Sequence, residues 1–225
     1  MIAWYVHHHG RGHLTRMLAV RPHVPHDVVV LSSLPQPDDL PAGTRWVRLP
    51  ADHLVEDGRD PAAADPTAGG LLHWAPLDHR GHASRLAAIA AVLPEADAVV
   101  VDVSVEVTML ARLLGRRVVL VAQPGVRSDV PHVSGRALAD AIVAPWPSAS
   151  RDGGADGIEH VGGISRFEGR AAPGSHASRT VLALGGGGHD AEWRDMVARA
   201  VDGTPGWRWT VADASAWLDD PWEPL

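Results

Sequence analysis

Tyr5-Val6-His7-His8-His9-Gly10-Arg11-Gly12-His13-Leu14-Thr15-Arg16 decides how this chain is read. The apolar residues 2–6 before it read as a strand, and residues 14–20 after it read as the start of a helix. A strand that turns through glycines into a helix brings unpaired backbone N–H groups to one point, a site suited to phosphate or sugar oxygens. Gly10 and Gly12 permit the tight turn and a close ligand approach. His13 falls in the first helical turn, where an imidazole can act as a base. The same turn occurs in α/β proteins that share no chemistry. It is also not the full dinucleotide fingerprint, because Thr15 stands where a third glycine would be. No cysteine or carboxylate lies near His7 and His9 in sequence, so no metal site is expected.

Working outward, residues 27–31 read as a second buried strand and residues 45–49 as a third, at an edge. Residues 50–81 have little periodicity. Irregular stretches of that length inside a compact domain are uncommon and are often functional. Within them, His73 and Trp74 sit in a glycine-flanked loop that would form a sugar platform, a lid or the cover of a minor core. Residues 84–93 read as a helix ended before Pro94. Residues 98–102 are a continuous apolar run ending in Asp102, the pattern of a parallel strand buried on both faces. Ser104 is a suitable N-cap for a helix running to Leu114. A fifth strand over 117–122, a helix over 134–140 and a short strand over 141–144 follow. The expected fold class is α/β, a Rossmann-like parallel sheet with helices on both faces.

Residues 145–157 have a linker composition, and 159–164 are a last strand or the linker's end. The opening pattern then recurs: an apolar run over 180–184, Gly185, Gly186, Gly187 and Gly188, a helix over 191–201 and a strand over 207–212. The expected domains are 1–165, a linker at 166–178, and a second Rossmann-like unit at 179–225. That second unit has only 47 residues, against about 100–150 for a typical domain, so the chain is expected to be truncated or divergent there.

Composition narrows the function. The net charge of −7 argues against nonspecific binding to nucleic acid or anionic lipid. The chain has no cysteine, which excludes thiol chemistry and makes a cytoplasmic location the default. It also has no lysine, which removes Schiff-base chemistry. No apolar run approaches the ~20 residues that span a bilayer, so membrane contact is unsupported.

In an open parallel sheet, ligands bind beyond the C-terminal strand ends where the winding reverses. His13 follows the first strand and Asp102 ends the fourth, so the two could meet there. A carboxylate accepting from one ring nitrogen orients the imidazole and leaves the other nitrogen to take a proton from a hydroxyl. Asp102 could equally hold the first loop. Glu106 is either a second base or a partner of the helix dipole. Gly185, Gly186, Gly187 and Gly188 would hold a diphosphate or form a plain turn. Arg11, Arg16 and Arg127 are anion partners or surface charges.

With these residues in view, the chain resembles the N-terminal part of a two-domain GT-B glycosyltransferase. It is most similar to the family 28 group, which includes the UDP-N-acetylglucosamine transferase of peptidoglycan synthesis and the galactolipid synthases. The resemblance is carried by Gly10-Arg11-Gly12-His13 with Arg16, by Asp102-Val103-Ser104-Val105-Glu106, by Ala111-Arg112-Leu113-Leu114-Gly115 and by the glycines at 185–188. It implies inverting, metal-independent transfer from a nucleotide-diphosphate sugar to an acceptor hydroxyl, without a cofactor. His13 and Asp102 would be catalytic; Gly10, Arg11, Gly12, His73 and Trp74 would bind acceptor; Gly185, Gly186, Gly187 and Gly188 would bind donor. The family's later donor motifs have no counterpart here, so neither donor nor acceptor is named. A nucleotide-sugar epimerase or hydrolase of the same fold, or a non-catalytic nucleotide-sugar-binding module, would share these features.

Overall fold

The computed structural model describes residues 1–125, 127–148, 157–165, 167, 179–184 and 191–212. The chain divides into two compact units, Met1–Glu168 and Gly169–Leu225.

Seven strands build the first unit: β1 (Ile2–Val6), β2 (Val28–Ser32), β3 (Thr44–Arg48), β4 (Ala98–Asp102), β5 (Arg117–Val121), β6 (Ala141–Ala144) and β7 (Ile158–His160). They pair in parallel in the order β3-β2-β1-β4-β5-β6-β7. Among the described residues, four α-helices lie between them: α1 (Gly12–Val20), α2 (Arg80–Val92), α3 (Val105–Leu113) and α4 (Val130–Leu138). This is the expected Rossmann-like α/β sheet, with β3 at an edge. The winding reverses between β1 and β4. Their register runs from Ile2 opposite Ala98 to Val6 opposite Asp102, so both strands end level at the same sheet edge.

Period-two alternation explains the two cores. Trp4 and Val6 point to one face, where they pack with Val28, Val30 and the α1 residues Leu14 and Met17. Ala3 and Tyr5 point to the other, with Val29, Leu31 and Val101, against Ile89 of α2 and Val107 and Ala111 of α3. All of β2 is buried, as its unbroken apolar run requires.

Two helix starts depart from the expected positions. α2 begins at Arg80 rather than residue 84, because the His79 imidazole caps it by accepting from His82 N at 3.0 Å. Imidazole is not among the usual caps, so that start carries no common sequence signal. α4 runs over Val130–Leu138 rather than 134–140. Asp129 caps it, Pro131 lies in its first turn, and the Asp140 carboxylate instead accepts from Val118 N at 2.8 Å.

In the second unit, β8 (Thr180–Leu184) pairs in parallel with β9 (Arg208–Ala212), and α5 (Ala191–Gly203) joins them. Gly185, Gly186, Gly187 and Gly188 lie outside the described residues. Among the described residues, no helix is long and apolar enough to cross a membrane.

Candidate functional site at the sheet's reversal point

The level ends of β1 and β4 set the site. The turn after β1 returns His13 to the end of β4, and His13 Nδ1 lies 2.9 Å from Asp102 Oδ1. A carboxylate can only accept, so the imidazole donates from Nδ1 and Nε2 is left as its basic nitrogen. Arg16, one helical turn on, donates to the same oxygen at 3.2 Å. The Asp102 side chain is fully buried, and that of His13 is 15% exposed. Asp102 Oδ2 is buried without a hydrogen-bond partner. The structure therefore brings His13 and Asp102 together, and Arg16 serves Asp102 rather than standing free for an anion.

Val103, directly after Asp102, has φ of 62°. A β-branched residue in the left-handed region is strained by about 1–3 kcal/mol, and such strain concentrates at functional turns. Here it ends β4 abruptly and starts α3 within two residues. Ser104 caps that helix by accepting from Val107 N at 3.2 Å.

Gly10, Arg11 and Gly12 are exposed, and a Cβ added at either glycine would meet nothing within 4 Å. Arg11 makes no side-chain cap to α1. His73 and Trp74 are held elsewhere on the same edge: both backbone N–H groups donate to Glu106 Oε1, at 2.7 and 3.1 Å. Glu106 Oε2 accepts from the Ser104 hydroxyl. Glu106 lies in the first turn of α3, as expected of a partner of the helix dipole, and it also anchors the loop.

His73 and Trp74 line a crevice of about 260 Å³ that also takes in Tyr5, His8, Asp52 and His82. Gly10, Arg11 and Gly12 are not among its lining residues. The His7 ring in its wall lies 5.6 Å from the His13 ring. At its floor, Arg85 is 2% exposed and donates to Ser33 Oγ, Pro50 O and Tyr5 Oη. Its Nε lies 3.4 Å from Asp52 Oδ2. Burial raises the Asp52 carboxyl, but Arg85 and His8 outweigh it and hold it below its usual range. Burial pushes Tyr5 up.

Burial, with the neighbouring imidazoles, pushes His7 down to about 3, and burial pushes His8 down to about 4. Both rings are therefore neutral at pH 7. The unfolded chain takes up these protons near pH 6.5 while the folded chain refuses them, so stability is full above about pH 6.5 and falls as the pH drops towards 4 and 3. His7 alone costs about 2 kcal/mol at pH 5, and His8 adds a smaller loss in the same direction. Thermal melts at pH 7 and pH 5 should show this drop, reduced in His7→Gln.

A second cavity of about 310 Å³ opens beyond β4, β5 and β7. Val105, Leu120, Val121, Val133 and Trp146 line it, and Arg127 and His132 stand at it. His73 and Ser104 border both cavities. Asp129 accepts from His132 N and lies 2.6 Å from His132 Nδ1; these bonds hold its carboxyl well below its usual range. The cavity was not legible in sequence, because its wall comes from strand ends far apart in the chain.

Among the described residues, two clusters present metal-type donors within 4.8 Å of one another: His8, Asp52 and His53, and His73, Asp129 and His132. The first is closely faced by the Arg85 guanidinium, which opposes a cation. In the second, the donors are already hydrogen-bonded to one another.

No protein-family model matches the sequence, and comparison with curated proteins gives no match. Three solved structures of a spinosyn rhamnosyltransferase, SpnG, align with the chain. The complex with thymidine diphosphate is 17% identical with a TM-score of 0.46, covering 98% of this chain and 68% of that one. The complex with spinosyn aglycone is 18% identical with a TM-score of 0.42 over the same shares. SpnG alone is 17% identical with a TM-score of 0.44, covering 97% and 68%. At these identities and scores, the likeness assigns no residue and no activity to this chain.

Proposed function

We propose that the chain acts as a GT-B glycosyltransferase resembling family 28, moving a sugar from a nucleotide-diphosphate sugar to an acceptor hydroxyl with inversion. The observation that carries this reading is the 2.9 Å contact of His13 Nδ1 with buried Asp102 at the sheet's reversal point. His13 Nε2 takes the proton of the acceptor hydroxyl as the new bond from its oxygen to the sugar's anomeric carbon forms. The bond from that carbon to the diphosphate breaks on the opposite face, and the nucleoside diphosphate leaves with the electron pair. Asp102 stabilises the imidazolium and keeps its ring oriented. No step is assigned to a metal. Gly10, Arg11 and Gly12 beside the dyad, and His73 and Trp74 on the crevice, contact the acceptor. Residues 179–225 belong to the donor side, and Gly185, Gly186, Gly187 and Gly188 hold the diphosphate.

The test supplies the chain with UDP-, GDP- and dTDP-sugars, with and without a panel of alcohols. Nucleoside diphosphate release that requires an alcohol is the expected result. Release without an alcohol indicates hydrolysis, a changed sugar without release indicates epimerisation, and binding alone indicates a non-catalytic module; each would overturn the reading.

A further inference from the structure

His73, Asp129 and His132 come together from two separate elements. His73 sits in the loop before α2, while Asp129 caps α4 and His132 lies in its first turn. His73 Nε2 is 3.3 Å from Asp129 Oδ1, and His132 Nδ1 is 2.7 and 2.6 Å from the two oxygens of the same carboxylate. The two imidazoles meet edge to face, with centroids 4.4 Å apart. The side chains of His73, Asp129 and His132 are 40%, 49% and 20% exposed, so a solute reaches them without any opening of the fold.

Each donor is oriented by a bond outside the cluster or to the backbone. Glu106 Oε1 accepts from His73 N at 2.7 Å and fixes the loop. Asp129 Oδ1 accepts from His132 N at 3.1 Å and so fixes the carboxylate. Outer partners of this kind are what orient metal ligands. Zinc bonds of about 2.0–2.1 Å at tetrahedral angles set neighbouring ligand atoms about 3.3 Å apart, the spacing of His73 and Asp129. The His132 ring is closer and has to withdraw by roughly 0.7 Å, exchanging its hydrogen bond for a bond to the ion. Each imidazole frees a lone pair by carrying its proton on the other ring nitrogen. Among the described residues, Asp129 is ion-paired with these two rings and with no guanidinium, unlike Asp52, which Arg85 faces at 3.4 Å. Its charge offsets the positive end of α4. Two imidazoles beside one carboxylate favour zinc and its neighbours over magnesium or calcium, which prefer oxygen throughout.

We propose that His73, Asp129 and His132 bind one zinc-type divalent ion, with the fourth position left to water. His73 borders both cavities, and His132 lines the one beyond β4, β5 and β7. The ion therefore ties the loop of His73 and Trp74 to α4 and braces the wall that the cavities share. It takes no chemical step, and its binding does not depend on the transferase reading.

Titration of the chelator-stripped intact chain with zinc, against a chromophoric competitor, tests this. One equivalent should bind at micromolar free zinc or below and survive dialysis. His73→Ala, Asp129→Asn and His132→Ala should each weaken it by about tenfold or more, because even an outer partner of a metal site is worth that much. Asparagine still caps a helix, so Asp129→Asn keeps α4. If His132→Ala loses helix by circular dichroism, the other two variants carry the comparison. His9→Ala and His53→Ala should bind as the unaltered chain does. Zinc should also slow amide exchange at Gly70 and Leu72, whose N–H groups donate to Thr67 O, and should not do so in Asp129→Asn. Three results overturn the site: no retained equivalent, retention indifferent to all three variants, or loss in His53→Ala instead. Zinc bound here with unchanged exchange in the loop would overturn the bracing. Zinc bound by a chain that transfers no sugar would leave this site standing while removing the transferase reading.

Discussion

Replacing His13 by alanine is expected to lower kcat for sugar transfer by about 10²–10⁴, the usual contribution of a positioned general base. KM should move only a few-fold, because the lost interaction acts on the acceptor proton in the transition state. The fold should survive. Asp102 keeps the Arg16 guanidinium at 3.2 Å, so its buried charge is not left uncompensated. The loss is then about one hydrogen bond to a charged group, roughly 1.5–3 kcal/mol. A stopped assay of nucleoside diphosphate, read beside a thermal melt, separates the two effects. Unchanged kcat in a folded variant would remove His13 from the chemistry.

Asp102→Asn should have the second-largest effect. Asparagine keeps the shape, and its carbonyl oxygen can still accept from His13 Nδ1 and Arg16. It cannot stabilise the imidazolium with a negative charge, and its amide can turn a donor towards the ring and favour the wrong tautomer. kcat should fall by about 10²–10⁴ with KM little changed. The double variant with His13→Ala should be no worse than the worse single variant, because the two residues act as one unit. Independent, multiplying losses would show that Asp102 serves the fold and not the imidazole.

The pairing of these side chains was legible because both ends of the argument were local. Gly10 and Gly12 after an apolar run, and Asp102 at the end of another, each mark a strand terminus. Once β1 and β4 are neighbours with Val6 opposite Asp102, the two termini are one place. The polar crevice was not legible in the same way. Asp52 and His53 lie in a stretch without periodicity, so nothing in the sequence joins them to the first turn. Arg85 reads as the polar side of α2, yet it is buried on the same side as Ile89, one turn away. It is tolerated there because Tyr5, Ser33, Pro50 and Asp52 all receive its guanidinium. Val103 gave no signal either, since valine is the last residue expected at positive φ. The α4 start could have been found: Asp129 followed by Pro131 is a cap-and-proline pattern.

The most direct measurement is the anomeric configuration of the product, read by NMR during turnover of a nucleotide sugar with its acceptor. A base that deprotonates the acceptor for direct displacement gives a product inverted at the anomeric carbon, formed by the intact chain and all but absent with His13→Ala. A product of retained configuration, or an inverted product made at full rate without His13, would contradict the account.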